Sequence, residues 1–186
     1  MTERVTEADL VLHDITLMSQ DQQLELLAIR NQETIRESSY GSQIIQAAEH
    51  FAWIEKLASV PSGEILHFYA VSQEDVIVGG VGIRRGDVKG DAVWSFYVSE
   101  TEQGRGVGVA LAVKALDHFF AEFSLKTVCG EALLSNAASI KYHEKLGFVE
   151  VGAKSVPAPL TGAALEAVIL SLSVENWRSR RTRLLG

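Results

Sequence analysis

The sequence predicts one α/β (α+β) domain, a mixed sheet with helices packed against it. Three observations carry this reading. After one short strand the first third of the chain has helical periodicity, the middle holds three closely spaced apolar runs, and the second half alternates helices with strands. A chain of 186 residues with 47% hydrophobic and 22% charged side chains is the size and composition of one globular core, so residues 1–186 are read as a single domain.

The elements follow in order. Leu10, Leu12 and Ile15 fit an opening strand with imperfect alternation. Ser19 is placed to cap a helix carrying Leu24, Leu27 and Ile29 and ending near Arg30 and Asn31. From Ser42 to Leu57, Ile44, Ile45, Ala48, Phe51, Ile54 and Leu57 recur at helical spacing, and Val60 to Gly63 breaks that helix. Strands are expected over Ile65–Val71, Val76–Ile83 and Ala92–Val98, joined by turn chemistry at Gln73–Asp75 and Gly86–Gly90. Connections this short make an antiparallel meander the simplest arrangement. A glycine-rich turn at Gln103–Gly108 opens a long helix whose stripe includes Leu111, Leu116, Phe119 and Phe123. Thr127–Leu133 reads as a strand and Asn136–Leu146 as a helix ended by Gly147. A strand begins at Phe148 to Val151, Ala163–Leu172 is the last strand, and the arginine-rich tail Trp177–Gly186 is expected to be a solvated end.

Composition narrows the function classes. No apolar run approaches the ~20 residues that span a bilayer, and the opening MTERVTEADL has no signal-peptide core. A formal charge of −7 disfavours nucleic acid as a partner. The single Cys129 forms no internal disulfide and no Cys/His cluster has zinc spacing, so no metal and a cytoplasmic setting are expected.

The most informative segment joins the strand ending at Val98 to the helix after Gly108. Gly104, Gly106 and Gly108 permit unusual backbone angles and close approach, so successive N–H groups can converge on one anion. The helix start adds unpaired N–H groups and the positive end of its dipole, and Arg105 adds a local cation. No Gly-Lys-Ser/Thr follows, and the third glycine falls too early for a dinucleotide fingerprint. A tight connection with no ligand would use the same glycines.

Gln103, Gly106 and Gly108 together resemble the acetyl-CoA loop of GNAT-type N-acetyltransferases. The run Asn-Ala-Ala-Ser-Ile-Lys-Tyr-His-Glu-Lys-Leu-Gly-Phe from Asn136 to Phe148 resembles that family's second signature, and a helix and a strand separate the two. The resemblance runs from about Leu10 to Leu172. It implies a mainly antiparallel sheet that splays after the fourth strand, helices on both faces, and acetyl-CoA in the gap. Backbone near Phe96, Tyr97 and Val98 would meet the pantetheine arm, Gln103, Gly104, Arg105, Gly106, Val107 and Gly108 would hold the pyrophosphate, and Asn136 and Ser139 would approach from the other side. Ile29-Arg30-Asn31, Ile35-Arg36 and Glu49–Ile54 look similar to the amino-sugar nucleotide acetyltransferases of pseudaminic acid biosynthesis. That likeness implies a UDP-linked amino sugar as the small-molecule amine, with neither nucleic acid nor membrane as partner, and leaves room for a homodimer. A protein N-terminus, another small amine, or an acyl-CoA-binding domain without catalysis are the alternatives.

Acetyl transfer to an amine needs the amine's proton removed, the oxyanion met by donors and the thiolate protonated. The family's usual acid is a tyrosine in the last helix, at the place held here by His143 and preceded by Tyr142. His143 is the first candidate acid and Tyr142 the second. The strand from Ala92 to Tyr97 contains no carboxylate, so the base is a water relay or Glu131, which reads equally as a solvated charge. Arg30, His50 and Trp53 are the substrate-side candidates: Arg suits a diphosphate, and Trp stacks on a sugar or uracil face.

Overall fold

The computed structural model describes residues 5–61, 64–86, 91–159 and 161–185. The expected turn at Gly86–Gly90 and the expected break at Val60–Gly63 fall partly outside these residues. Seven strands form one sheet: β1 Leu10–Asp14, β2 Leu66–Gln73, β3 Val76–Arg85, β4 Asp91–Val98, β5 Thr127–Leu133, β6 Val149–Pro157 and β7 Ala164–Ser173. Their order is β1-β2-β3-β4-β5-β7-β6. Every pairing is antiparallel except β4 with β5. That parallel ladder covers only Asp91–Val93 against Thr127–Cys129, and from Trp94 onward the two strands have no register. The sheet therefore splays where it was expected to.

Among the described residues six α-helices cover the two faces: α1 Gln20–Arg30, α2 Glu33–Glu37, α3 Ala47–Ala58, α4 Val107–Glu122, α5 Ala137–Leu146 and α6 Val174–Leu185. Leu26 and Ile29 of α1, Ile35 of α2, and Ile54 and Leu57 of α3 share one core with Ala70 and Ile77. Leu111, Leu116 and Phe119 of α4, Leu146 of α5 and Trp177 of α6 share the other with Val71, Val81, Trp94 and Val128. Alternate residues of a strand point to opposite faces, so β2 and β3 supply both cores.

Local rules set most boundaries. Ser19 caps α1 as expected: its Oγ accepts from Gln22 N at 3.3 Å while Gln22 Oε1 accepts from Ser19 N at 3.1 Å. On α1 it is Gln23 that is buried, its amide donating to Ile15 O at 2.9 Å, while Leu24 is exposed. Three expectations are corrected. The helix expected from Ser42 begins at Ala47, because Asn31 pairs with Ile45 by two 2.9 Å hydrogen bonds that hold the preceding segment extended. The five-residue α2 is additional. The arginine-rich tail is α6, docked through Trp177, which is 2% exposed and donates its indole N–H to Asp117 Oδ1 at 2.9 Å. Arg181 Nε donates to Asp117 Oδ2 at 2.6 Å, so the tail packs where a solvated end was expected.

Candidate active site

The glycine loop stands at the mouth of the splay. Gly104 has φ +78° and Gly106 φ +91°, left-handed angles that side chains rarely adopt. Gly106 is the N-cap of α4, and its carbonyl accepts from Val109 N at 3.1 Å and Ala110 N at 3.2 Å. Val107 and Gly108 lie in the first turn, ahead of any carbonyl four residues back within the helix, so their N–H groups remain for an anion. Gln103 Nε2 donates to Val98 O at 3.4 Å and ties the loop to the end of β4. The expected local cation is largely spent: Arg105 Nη1 lies 3.1 Å from both carboxylate oxygens of Glu102. Anion binding there rests on backbone.

The opposite rim is α5. Asn136 caps it, its Oδ1 accepting from Ser139 N at 3.0 Å, which leaves the Asn136 Nδ2 donors unspent. Tyr142 projects from α5 to the glycine loop and donates its hydroxyl to Gly108 O at 2.5 Å. Its ring lies 4.9 Å from that of Phe96, and burial pushes its phenol well above the usual range.

His143 faces a different environment. It is 2% exposed, its Nδ1 lies 2.8 Å from Ser139 O, and Trp94 Nε1 donates to its Nε2 at 3.2 Å. An indole nitrogen only donates and a carbonyl only accepts, so Nδ1 carries the proton, Nε2 is the acceptor and the ring is neutral. Burial depresses its pKa, and the bond to Ser139 opposes that only in part. His143 is thus placed as a strut between α5 and β4, not as an imidazolium facing a thiolate. Gly130 of β5 makes room for it, since a Cβ there would collide with the His143 ring and sit 3.0 Å from Trp94 Nε1. Trp94 also stacks on Phe148 at 5.5 Å, just past the point where the β4–β5 ladder ends.

Beyond the loop the cleft, about 910 Å³, reaches a wall built from α1, α2, α3, β2 and β4. Arg30 and Trp53 line it, with Phe68 and Tyr97 as its floor. Gly80 and Gly82 of β3 leave space for the Phe68 ring, to which a Cβ would approach within 2.7 and 2.6 Å. Trp53 meets Phe68 edge-on at 5.1 Å. Burial lowers the Arg30 pKa and raises that of Tyr97. His50 is absent from this wall: it is 4% exposed and its Nε2 lies 3.0 Å from Gln23 O, which makes it a tie between α3 and α1 rather than a substrate contact. Glu131 is neither solvated nor free. Lys154 Nζ lies 2.7 Å from Oε2, the Tyr40 hydroxyl donates to the same oxygen at 3.0 Å, and Arg84 Nη2 lies 3.7 Å from Oε1.

A splayed sheet whose β4–α4 turn bears an open N–H cradle, faced by an asparagine-capped helix, matches one family. The model of the acetyltransferase (GNAT) family matches residues 39–148. The chain belongs to the acetyltransferase (GNAT) family. It is an N-acetyltransferase by that membership. Similar solved structures share the fold at low identity. The spermidine N-acetyltransferase from Vibrio cholerae, in complex with CoA and spermine, has a TM-score of 0.77 at 16% identity, covering 92% of this chain and 99% of that one. The ribosomal-protein-S5-alanine acetyltransferase from Vibrio fischeri has a TM-score of 0.73 at 15% identity, covering 91% and 95%. An N-acetyltransferase from Staphylococcus aureus Mu50 has a TM-score of 0.69 at 19% identity, covering 88% and 98%. A comparison with curated proteins returns no match.

In this acetyltransferase one cleft gathers Phe96, Tyr97, Val98, Gln103, Gly104 and Gly108, which the resemblance placed on the cofactor. Asn136, Ser139, Tyr142, His143 and Glu131 line it from the α5 and β5 side, and Arg30 and Trp53 from α1 and α3. Sequence reasoning missed Trp94 as the partner of His143, and Tyr40, Arg84 and Lys154 as the partners of Glu131. Each pairing joins residues from separate elements, and the only local signal was the placing of Trp94 and Phe96 on one strand face.

Proposed function

We propose that this enzyme transfers the acetyl group of acetyl-CoA directly to a primary amine held in the same cleft, and that the amine belongs to a nucleotide-linked amino sugar. The observation that supports this most is the splay itself. Beyond Val93 the β4 edge facing β5 has no strand partner, so its N–H and C=O groups are available to an extended amide chain such as pantetheine. Val107 and Gly108 N–H groups would hold the pyrophosphate, and Asn136 Nδ2 would donate to the pantetheine arm. When bound, acetyl-CoA supplies the activated thioester. Tyr142 is the proton donor in this reading: its one hydroxyl proton, given to Gly108 O in the free enzyme, would turn to the departing thiolate by rotation about the Cζ–Oη bond, whereas the His143 N–H is fixed toward Ser139 O by the ring. Glu131 is taken up by Lys154, Tyr40 and Arg84, so in this reading the amine's proton leaves through water in the open cleft.

The amino-sugar acceptor rests on the motifs around Arg30 and on an aromatic wall, Trp53 and Phe68, suited to a sugar or base face. The test is thiol release from acetyl-CoA with a UDP-linked 4-amino sugar, spermidine and an alanine-terminated peptide. The expected result is a kcat/KM at least tenfold higher for the nucleotide sugar. Preference for the peptide would replace the acceptor, and acetyl-CoA binding without turnover on any amine would make the chain an acyl-CoA-binding domain.

A further inference from the structure

We propose that Arg30 is the residue that selects the acceptor, and that the amine it selects carries an anionic group, a carboxylate or a phosphoryl group, that closes on its guanidinium. This rests on the reading of the cleft as the site of amine acetylation, and it names the class of amine.

Arg30 is the last residue of α1 and lines the cleft. Its Nη1 is buried with no hydrogen-bond partner, one of only two such side-chain atoms among the described residues. A guanidinium keeps its charge at any ordinary pH, and a buried N–H group without an acceptor costs free energy that folded proteins rarely leave uncompensated. The groups acting electrostatically on Arg30 are the phenol of Tyr97 and a second cation, Arg36; no carboxylate is among them. Arg36 is itself engaged with backbone oxygens, its Nε donating to Asn31 O at 3.0 Å and its Nη1 to Ser42 O at 2.6 Å. Among the described residues, therefore, none supplies the counter-anion.

The rest of the cleft agrees. Its one lining carboxylate, Glu131, is paired with Lys154 and Arg84. Arg30 and Arg84 against Glu131 leave this wall with positive formal charge in a chain of net charge −7. A local inversion of sign inside a cleft concentrates anions there and repels polycations. The fold neighbour that binds spermine is thus not a guide to this acceptor.

The experiment uses matched pairs of amines with and without the anion: a 4-amino sugar 1-phosphate against the same sugar without its phosphate, and an amino acid against its amide. Spermidine is the polycation control. In the wild-type enzyme the charged member of one pair should show a KM roughly 10- to 100-fold below its neutral partner, the range of a charge-assisted hydrogen bond. Which pair responds distinguishes phosphoryl from carboxylate. Arg30→Gln should collapse that ratio toward one, Arg30→Lys should keep part of it, and the acetyl-CoA KM should stay within about twofold in both. A second readout is independent of turnover: with CoA saturating, inorganic pyrophosphate or succinate should bind the wild-type protein and lose affinity at least tenfold in Arg30→Gln. Equal use of charged and neutral amines, good turnover of spermidine, or an Arg30→Gln effect confined to acetyl-CoA would each overturn the proposal while leaving amine acetylation standing. Acetyl-CoA binding without turnover on any amine would instead overturn the underlying reading, and this proposal with it.

Discussion

A neutral imidazole joins Trp94 to the first turn of α5, and the hydroxyl of its neighbour in sequence points to the glycine loop. The two adjacent residues therefore have opposite expected phenotypes. Tyr142→Phe should lower kcat by roughly 10²–10⁴-fold with little change in the acetyl-CoA KM, the pattern of a lost proton donor. His143→Leu should instead cost about 1–3 kcal/mol of stability, because the Trp94 N–H is left buried and unpaired; urea unfolding followed by tryptophan fluorescence measures it. The same position has a pH signature. Its folded-state pKa lies below the ordinary 6.5, so the folded protein binds fewer protons than the unfolded chain in the acid range. That contribution is fully present above about pH 6.5 and is lost as pH falls toward the folded-state value. His50 and His118 are shifted the same way by burial and add to the acid loss. Between pH 7.5 and 5.5 wild type should lose stability, with His143 accounting for up to about 1.4 kcal/mol per pH unit, and His143→Leu should show a shallower decline.

At the scale of elements, the start of α4 decides cofactor affinity. A side chain at Gly106 meets a φ of +91°, which costs about 1–2 kcal/mol for a branched residue, and adds bulk where a pyrophosphate must approach backbone. Gly106→Val should weaken acetyl-CoA binding at least tenfold by calorimetry. Arg105→Ala should change it by no more than about twofold, because that guanidinium is exposed and already paired with Glu102. The short α2 owes its existence to the same loop: Thr34 N donates to Glu100 Oε1 at 3.1 Å, a cap supplied from beyond β4. Gln32 also reaches across, its Oε1 accepting from Glu100 N at 2.9 Å. The acceptor wall and the pyrophosphate loop are thereby fastened to one another.

For the whole molecule, the weak place is the junction of the two half-sheets, where β4 and β5 share only the Asp91–Val93 ladder. Three devices hold it without closing it: the Trp94–His143–Phe148 wedge, Glu131 linking β5 to Arg84 of β3 and Lys154 of β6, and α6 locked beneath α4. Trp177→Ala should cost about 3–5 kcal/mol, measured as a fall in the urea midpoint, while the acetyl-CoA KM stays near wild type because the residue lies far from the cleft lining. Asp117→Ala should reproduce part of that loss by freeing both the indole N–H and Arg181.

Local chain chemistry by itself determined the strands, the Ser19 cap and the glycine turn, because these depend on periodicity, capping and backbone angles set by near neighbours, while the family was legible through the resemblance of two motifs. The splay and the cofactor rim followed from signatures carried whole within Gln103–Gly108 and Asn136–Phe148. Tertiary structure alone decided which candidates face the cleft. His143 is held by an indole on a strand 49 residues away in sequence, and His50 was drawn inward by a carbonyl on α1. The arginine-rich tail became a docked helix through Asp117, 60 residues before Trp177. Arg30 ends with its Nη1 buried and without a hydrogen-bond partner among the described residues. Such outcomes turn on which groups meet across the fold, and burial then fixes their charge, their tautomer and their need for a ligand.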